Sequence, residues 1–181
     1  TCIERDASRD RTVGKEVIDR MLKRFQAPYY DEGIDEIKIV VPDNFDAGEY
    51  YHKHYLAMEI PHDNPHHTRN IDDHCFMAEV YLTKRCSDAD LTKAARIHDI
   101  GKPYVKAFID SKGNPCEIAH YYQHQCLSAW ISYGFVDTTP RIAWLVSTHM
   151  DPFMNTKYYN NLPPFLKRDI DLLHEADLHA H

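Results

Sequence analysis

Histidine is the residue type through which this sequence indicates chemistry. The chain of 181 residues holds 13 histidines, and histidine is both a common metal ligand and a common acid–base residue. Four histidines and one aspartate follow one another along the chain at intervals of 24, 26, 25 and 28 residues: His74, His98, His124, His149 and Asp177. A further aspartate, Asp99, lies directly after His98. Each gap is about one helix plus a loop, so a helical bundle can bring all six side chains to one centre.

Imidazole and carboxylate ligands together suit one or two divalent transition metals, namely Mn, Co, Ni, Fe or Zn. Asp99 can bridge two such ions. A pair of ions roughly 3.5–4 Å apart clamps a phosphate and lowers the pKa of a bound water, and the resulting hydroxide attacks phosphorus. Lys102 follows three residues after Asp99 and can meet a phosphate oxygen as a point charge. We therefore predict Asp99 and Lys102 as catalytic residues.

The elements that must position these ligands are predicted to be helical. Strand signals nearly vanish after residue 50, and hydrophobic periodicity predicts helices near 50–58, 70–84, 88–99, 117–134, 138–149 and 163–180. A mainly α fold follows, with an all-α domain over 46–181. An amphipathic helix over 12–26 and a short β-branched strand over 37–41 are predicted to precede it.

Composition excludes several classes of protein. Hydrophobic residues make up 43% and charged residues 27%, as in folded globular chains. A net charge of −7 argues against tight binding to a long nucleic-acid duplex. No run of apolar residues is long enough to predict a membrane-spanning helix. Five scattered cysteines without a C-x-x-C pair indicate reduced thiols, as in a cytoplasmic protein.

A lone helical histidine is usually an exposed or a satisfied core residue, so each histidine is weighed against that simpler interpretation. On this basis four histidines are predicted to face solvent: His52, His54, His62 and His66. Trp130 and Trp144 are predicted to lie in the core. For the six regularly spaced residues we favour a metal site, because several independent coincidences would otherwise be needed.

Several of these residues resemble a known signature. His74, the run His98-Asp99-Ile-Gly-Lys102 and Asp177 resemble the H…HD…D pattern of the HD-domain phosphohydrolase superfamily. Asn64-Pro-His-His-Thr68, followed by Asn70-Ile-Asp-Asp-His74, resembles the entry to the HD domain of bacterial tRNA nucleotidyltransferases. Tyr121-Tyr-Gln-His124 is similar to the F-x-G-H step of the family, with Gln123 in the place of the glycine. The resemblance covers roughly residues 60–180.

The resemblance implies an all-helical HD-domain bundle that acts on phosphate esters of nucleotides and RNA ends. It implies a metal on His74, His98, Asp99 and Asp177, with His124 and His149 as the additional ligands of the two-metal subgroup and Asp99 bridging. Next to these ligands, the predicted substrate-binding residues are His67, Arg69, Lys102 and His120. His120 is expected to share a helix face with His124, four residues later.

The first 42 residues resemble a different family. The runs over 3–14, 25–28 and 32–37 are similar to the lid and last strand of P-loop polynucleotide kinases. No G-x-x-x-x-G-K-[ST] motif occurs, so we expect residues 1–42 to be a fragment whose missing kinase portion belongs to a larger chain. A kinase beside an HD domain suggests RNA end repair, in which the HD domain removes a 2′,3′-cyclic or a terminal phosphate.

Two alternatives stay open. Some members of the same superfamily use the same six ligands as a di-iron oxygenase. The chain could also be a non-catalytic module that binds RNA or nucleotides. Lys102 and the kinase-like neighbour favour phosphate hydrolysis over oxygen chemistry.

Overall fold

The computed structural model describes residues 2–29, 32–65 and 67–180. The chain there is mainly helical, which confirms the predicted class. In chain order the elements are α1 (Cys2–Ala7), α2 (Lys15–Leu22), α3 (Ala47–Ala57), α4 (Ile71–Thr83), α5 (Ala89–Ile97), α6 (Lys102–Val105), β1 (Ala107–Ile109), β2 (Pro115–His120), α7 (His124–Ser132), α8 (Pro140–Thr148), α9 (Asp151–Met154), α10 (Thr156–Asn161) and α11 (Pro164–His179).

Five helices form the core. Helix α4 packs against α5 and α11, α5 packs against α8, and α7 packs against α8. The side chains between them are apolar and almost fully buried, among them Ile71, Leu91, Ile97, Trp144 and Ile170. Burial of such side chains stabilises a fold by roughly 1.5–3 kcal/mol each. The packing fixes the relative positions of the helix ends that carry the predicted ligands.

Local signals in the sequence set the starts of these helices. Asn70, Asp88 and Thr139 precede α4, α5 and α8, and each side chain accepts a hydrogen bond from a backbone N–H in the first turn. Proline opens α8 and α11, where its missing N–H costs nothing. The bounds predicted for α4, α5, α8 and α11 differ from the observed ones by one or two residues.

The body is not all-helical, and the prediction of a helix over 117–134 was wrong in its first part. Residues 115–120 form β2, which pairs with β1 in an antiparallel hairpin. The Asp110 carboxylate accepts hydrogen bonds from the backbone N–H groups of Lys112 and Asn114, and Gly113 takes a positive φ of 86°. These features close the turn between the strands. His120 consequently lies on a strand rather than on a helix face shared with His124.

The N-terminal part also differs from its prediction. Helix α2 is shorter than 12–26, and residues 36–42 have no regular structure where a strand over 37–41 was predicted. No strand within the described ranges lies beside this segment, so its backbone has no ladder to join. Phe25 instead packs edge-to-face on Trp130, and Tyr29 stacks on Trp144 with ring centroids 4.8 Å apart.

The two tryptophans have different environments. Trp144 is 1% exposed and confirms its predicted core position. Trp130 is 41% exposed, so its predicted burial was wrong. The reason is that Trp130 lies on the outward side of α7, where the ring of Phe25 packs edge-to-face against it.

In the ranges that the structure describes, none of the helices combines the length and the apolar character needed to cross a lipid bilayer.

Candidate metal centre

The predicted ligands lie at or near helix ends that meet in the middle of the molecule. His74 is in the first turn of α4, and Asp177 is in the last turn of α11. His98 directly follows α5, His149 directly follows α8, and His124 begins α7. The four histidines and Asp99 are almost completely buried, with exposed fractions of 0–6%. The structure therefore brings together all six residues that the sequence predicted as ligands.

A first ligand group consists of His74, His98 and Asp177 with Oδ2 of Asp99. The His74 Nε2 atom lies 2.9 Å from Asp177 Oδ1 and 3.5 Å from Asp99 Oδ2. The His98 Nε2 atom lies 3.3 Å from Asp99 Oδ2 and 3.5 Å from Asp177 Oδ1. Two imidazoles and two carboxylates thus point one donor atom each at a common point.

A second ligand group consists of His124 and His149 with Oδ1 of Asp99. The His124 Nε2 atom lies 3.1 Å from Asp99 Oδ1 and 3.2 Å from His149 Nε2. His149 Nε2 lies 3.9 Å from the same carboxylate oxygen. Asp99 therefore presents one oxygen to each group, which is the arrangement a bridging carboxylate requires.

Backbone hydrogen bonds fix the tautomer of three ligand histidines. The Nδ1–H groups of His98, His124 and His149 donate to the carbonyls of Ala95, Tyr121 and Val146 at 2.7–2.9 Å. Each bond leaves Nε2, the other ring nitrogen, directed at Asp99 and available as the metal-binding atom. Such a second contact is typical of metal-ligating histidine, so the donor set fits a divalent transition metal.

The charges of the first group compensate one another. Burial opposes protonation of His98, but the Asp99 carboxylate, with help from Cys75 and Asp177, raises the pKa of His98 well above its usual value. Burial likewise opposes ionisation of Asp99 and Asp177. Nearby imidazoles, and Lys102 in the case of Asp99, nevertheless hold both carboxyl pKa values well below the usual range. In the absence of a metal, the protonated His98 therefore balances part of the negative charge of the two carboxylates.

In the second group, the pKa of a ligand imidazole is lowered rather than raised. Burial first, and then electrostatic interaction with the neighbouring imidazoles, lower the pKa of His149 to about 3. The imidazole of His149 is consequently neutral at pH 7, which is the form that binds a metal.

Lys102 stands at the centre beside Asp99. Its Nζ lies 2.5 Å from Asp99 Oδ2 and 3.4 Å from His62 Nε2, and it faces the ring of Tyr121. The side chain is buried, with 6% exposed. A buried ammonium with its charge directed at the carboxylate can meet a phosphate oxygen that enters the centre.

The structure adds His62 to the site, a residue that the sequence analysis assigned to solvent. His62 is 1% exposed, and its Nδ1–H donates to the Arg69 carbonyl. Its ring stacks on that of His67 with centroids 3.9 Å apart. The prediction failed because His62 lies in a loop, where no periodicity indicates which way a side chain faces. The cluster of histidines just before His74 in the sequence could have indicated that His62 belongs to the site.

The other histidines predicted to face solvent have mixed outcomes. His54 is buried because Tyr104 of α6 covers it, with the Tyr104 hydroxyl 2.7 Å from His54 Nδ1. Its predicted exposure was therefore wrong. His52 is exposed, as predicted. His66 lies outside the described residues.

An open cleft of about 430 Å³ leads to Asp99, His124 and His149. Three of the predicted substrate-binding residues line it: His67, Lys102 and His120. Burial and the charge of Lys102 lower the pKa of His67 to about 3, so this imidazole is neutral at pH 7. Arg69 points elsewhere, because its guanidinium donates to the Ala180 carbonyl at 3.0 Å.

Gly101 allows α7 to approach Asp99. A Cβ atom at this position would lie 2.7 Å from the carbonyl oxygen of His124 and from the backbone nitrogen of Ser128. The Gly101 N–H donates to the Ser128 hydroxyl at 2.9 Å. Only glycine leaves room for this contact, which sets the position of His124.

Comparison of the chain with protein-family models, with curated proteins and with solved structures gives no match.

Proposed function

We propose that this chain is an HD-domain, divalent-metal-dependent phosphohydrolase acting on phosphate esters of nucleotides or RNA ends. The substrates proposed are a 2′,3′-cyclic phosphate or a terminal phosphate, as in RNA end repair. The observation that carries the proposal is the placement of Asp99, whose two oxygens face two separate histidine groups. A carboxylate that bridges two metal ions must direct one oxygen at each set of ligands, whereas an ordinary structural ion pair has no such requirement.

The ligand groups, Lys102 and His67 have separate roles in the proposed reaction. A bound pair of divalent ions would supply a nucleophilic hydroxide at neutral pH and polarise the phosphoryl oxygens. The two ligand groups would hold and orient that pair. Lys102 would compensate the charge of the entering phosphate, because its ammonium lies beside Asp99 and lines the cleft. His67 is neutral at pH 7 and can donate or accept a hydrogen bond at a departing oxygen.

The cleft suits a substrate of nucleotide size. Its volume of about 430 Å³ falls within the common range of about 300–1,000 Å³ for small-molecule sites. His120 stacks on Tyr122 at its edge, so the entrance offers flat rings as well as a cation. Both features support a substrate that combines a phosphate with an aromatic heterocycle.

The test combines metal analysis with hydrolysis. Purified protein is assayed for bound metals and for hydrolysis of 2′,3′-cyclic AMP and p-nitrophenyl phosphate with added Mn, Co or Ni. We expect Asp99→Asn to lower the rate by at least about 10³-fold, since it removes the shared ligand. Asp73→Asn is the matched control, because Asp73 is an exposed carboxylate next to His74 on α4, and it should retain the rate.

Other outcomes would change the assignment. Two irons with oxygen consumption and no hydrolysis would replace the proposal by the di-iron oxygenase. Nucleotide binding without hydrolysis under any metal would favour a non-catalytic binding module. Equal rates for Asp99→Asn and the unaltered chain would remove Asp99 from the mechanism.

A further inference from the structure

A second cavity lies between the N-terminal segment and the helical body. Its volume is about 580 Å³. Residues after α2 form one wall, including Arg24 and Phe25, and the start of α7 with the end of α8 forms the other. Tyr158 of α10 closes one side. This cavity is separate from the cleft that leads to Asp99, and no part of the metal centre lines it.

Gln125 is the first indication that this cavity receives a ligand. Its side chain is 6% exposed and lines the cavity, and no described residue donates a hydrogen bond to its Oε1 atom. Its Nε2 reaches only the sulfur of Met154, at 3.8 Å. A buried amide oxygen without a donor is costly, and a ligand that donates to it would remove that cost.

Gln123 is the second, independent indication. It adopts a left-handed conformation with φ 63° and ψ 24°, which is unfavourable for a residue with a side chain. Strained backbone of this kind concentrates at functional sites. The Gln123 side chain lines both the second cavity and the metal cleft, as does Met154. The two spaces are therefore neighbours, and these two residues form part of the wall of each.

We propose that the second cavity binds the nucleobase of the substrate whose phosphate lies in the metal cleft. The proposal rests on the proposed function and adds to it the part of the molecule that decides specificity. The Gln125 amide offers one acceptor and one weakly engaged donor, which matches the donor–acceptor edge of a base. The rings of Phe25 and Tyr158 in the wall favour a flat heterocycle over a sugar.

The test measures binding without catalysis. Adenosine, guanosine, cytidine and uridine are titrated up to millimolar concentration into metal-free protein, with ligand-observed NMR and calorimetry as readouts. We expect at least one base to bind and to be preferred over the others. Gln125→Leu should weaken that binding by about tenfold or more, because it removes one hydrogen-bonding edge at nearly constant volume.

Two further variants keep the test decisive. Ser147→Phe fills the cavity from α8 and should abolish nucleoside binding, even if Gln125→Leu proves poorly folded. Asn160→Leu is the control, since Asn160 is an exposed amide outside the cavity, and it should bind like the unaltered protein. Thermal unfolding of each variant separates loss of binding from loss of fold.

The outcomes for this cavity and for the proposed function are distinguishable. Metal-dependent hydrolysis of p-nitrophenyl phosphate with no nucleoside binding would overturn the cavity proposal alone. Nucleoside binding that Gln125→Leu weakens, in a protein without hydrolytic activity, would support the cavity and refute the phosphohydrolase. Equal binding by the unaltered protein and Ser147→Phe would place the nucleoside elsewhere and overturn the proposal.

Discussion

The two ligand groups share Asp99, but they are electrostatically unlike. The first group adds a second carboxylate, Asp177, and the pKa of its His98 is raised. The second group adds only imidazoles to the shared oxygen, and the pKa of its His149 falls to about 3. A divalent cation gains more from two carboxylates than from one, so we infer that the first group binds its ion more tightly. One centre would thus combine a tightly held ion with a more exchangeable one.

Substitution of an anionic ligand should show the difference in metal affinity between the two groups most clearly. Asp177→Asn is expected to weaken binding of the first ion by at least about 100-fold, since even indirect partners of metal ligands contribute 10–100-fold. His149→Ala should leave that first ion in place and remove only the second. Metal content after dialysis against a weak chelator measures both effects. Equal losses for the two variants would mean that the groups do not differ.

The second group should also depend on the close backbone contact between Gly101 and α7, which positions His124. Gly101→Ala places a Cβ atom 2.7 Å from backbone atoms of α7. We expect a loss of roughly 1–3 kcal/mol in the free energy of unfolding, together with loss of the second ion while the first remains.

Gly48→Ala is the matched control, because its Cβ would meet only a side-chain oxygen at 3.4 Å. Chemical denaturation and metal analysis measure the pair of variants. An unfolding free energy and metal content that Gly101→Ala leaves unchanged would contradict the role given to this contact.

Metal binding to the first group should release a proton, so the metal affinity of this group should depend on pH. The pKa of His98 is raised above its usual value of 6.5, so in metal-free protein the imidazole is protonated at pH 6. Binding of the first ion must expel that proton. Affinity should therefore rise by about tenfold per pH unit below the pKa of His98, whereas His149 is neutral throughout this range and contributes no such slope.

Calorimetry of the first binding step in two buffers of different ionisation enthalpy gives the number of protons released. About one proton is expected at pH 6. A pH-independent affinity with no proton released would show that His98 is neutral before the metal binds.

The smallest effect concerns the residue that precedes His124. Gln123→Gly removes a side chain from a left-handed backbone position, which should stabilise the fold by about 1 kcal/mol. In a chain of this size the melting temperature would rise by roughly 2–4 °C. The same variant should weaken nucleoside binding, because Gln123 lines the cavity. A lower melting temperature would show that contacts of the Gln123 side chain outweigh the backbone strain.

The sequence predicted the ligand helices well because their signals are local. Asn70, Asp88 and Thr139 cap α4, α5 and α8, and regular spacing placed a histidine at or near one end of each. What it missed depends on tertiary contacts. His62 lies in a loop whose direction no periodicity reveals, and the strand at 115–120 forms because β1 lies beside it. Gln125 reads as an ordinary helical residue until the packing of the N-terminal segment encloses it.

The most direct test of a shared, two-ion centre is the number of metal ions that one chain binds. Native mass spectrometry of metal-free protein titrated with Mn, Co or Zn would compare the unaltered chain, Asp99→Asn and Asp73→Asn. We predict two ions for the unaltered chain and for Asp73→Asn, and at most one weakly held ion for Asp99→Asn. No bound ion in the unaltered chain, or two ions retained by Asp99→Asn, would contradict the bridging role of Asp99.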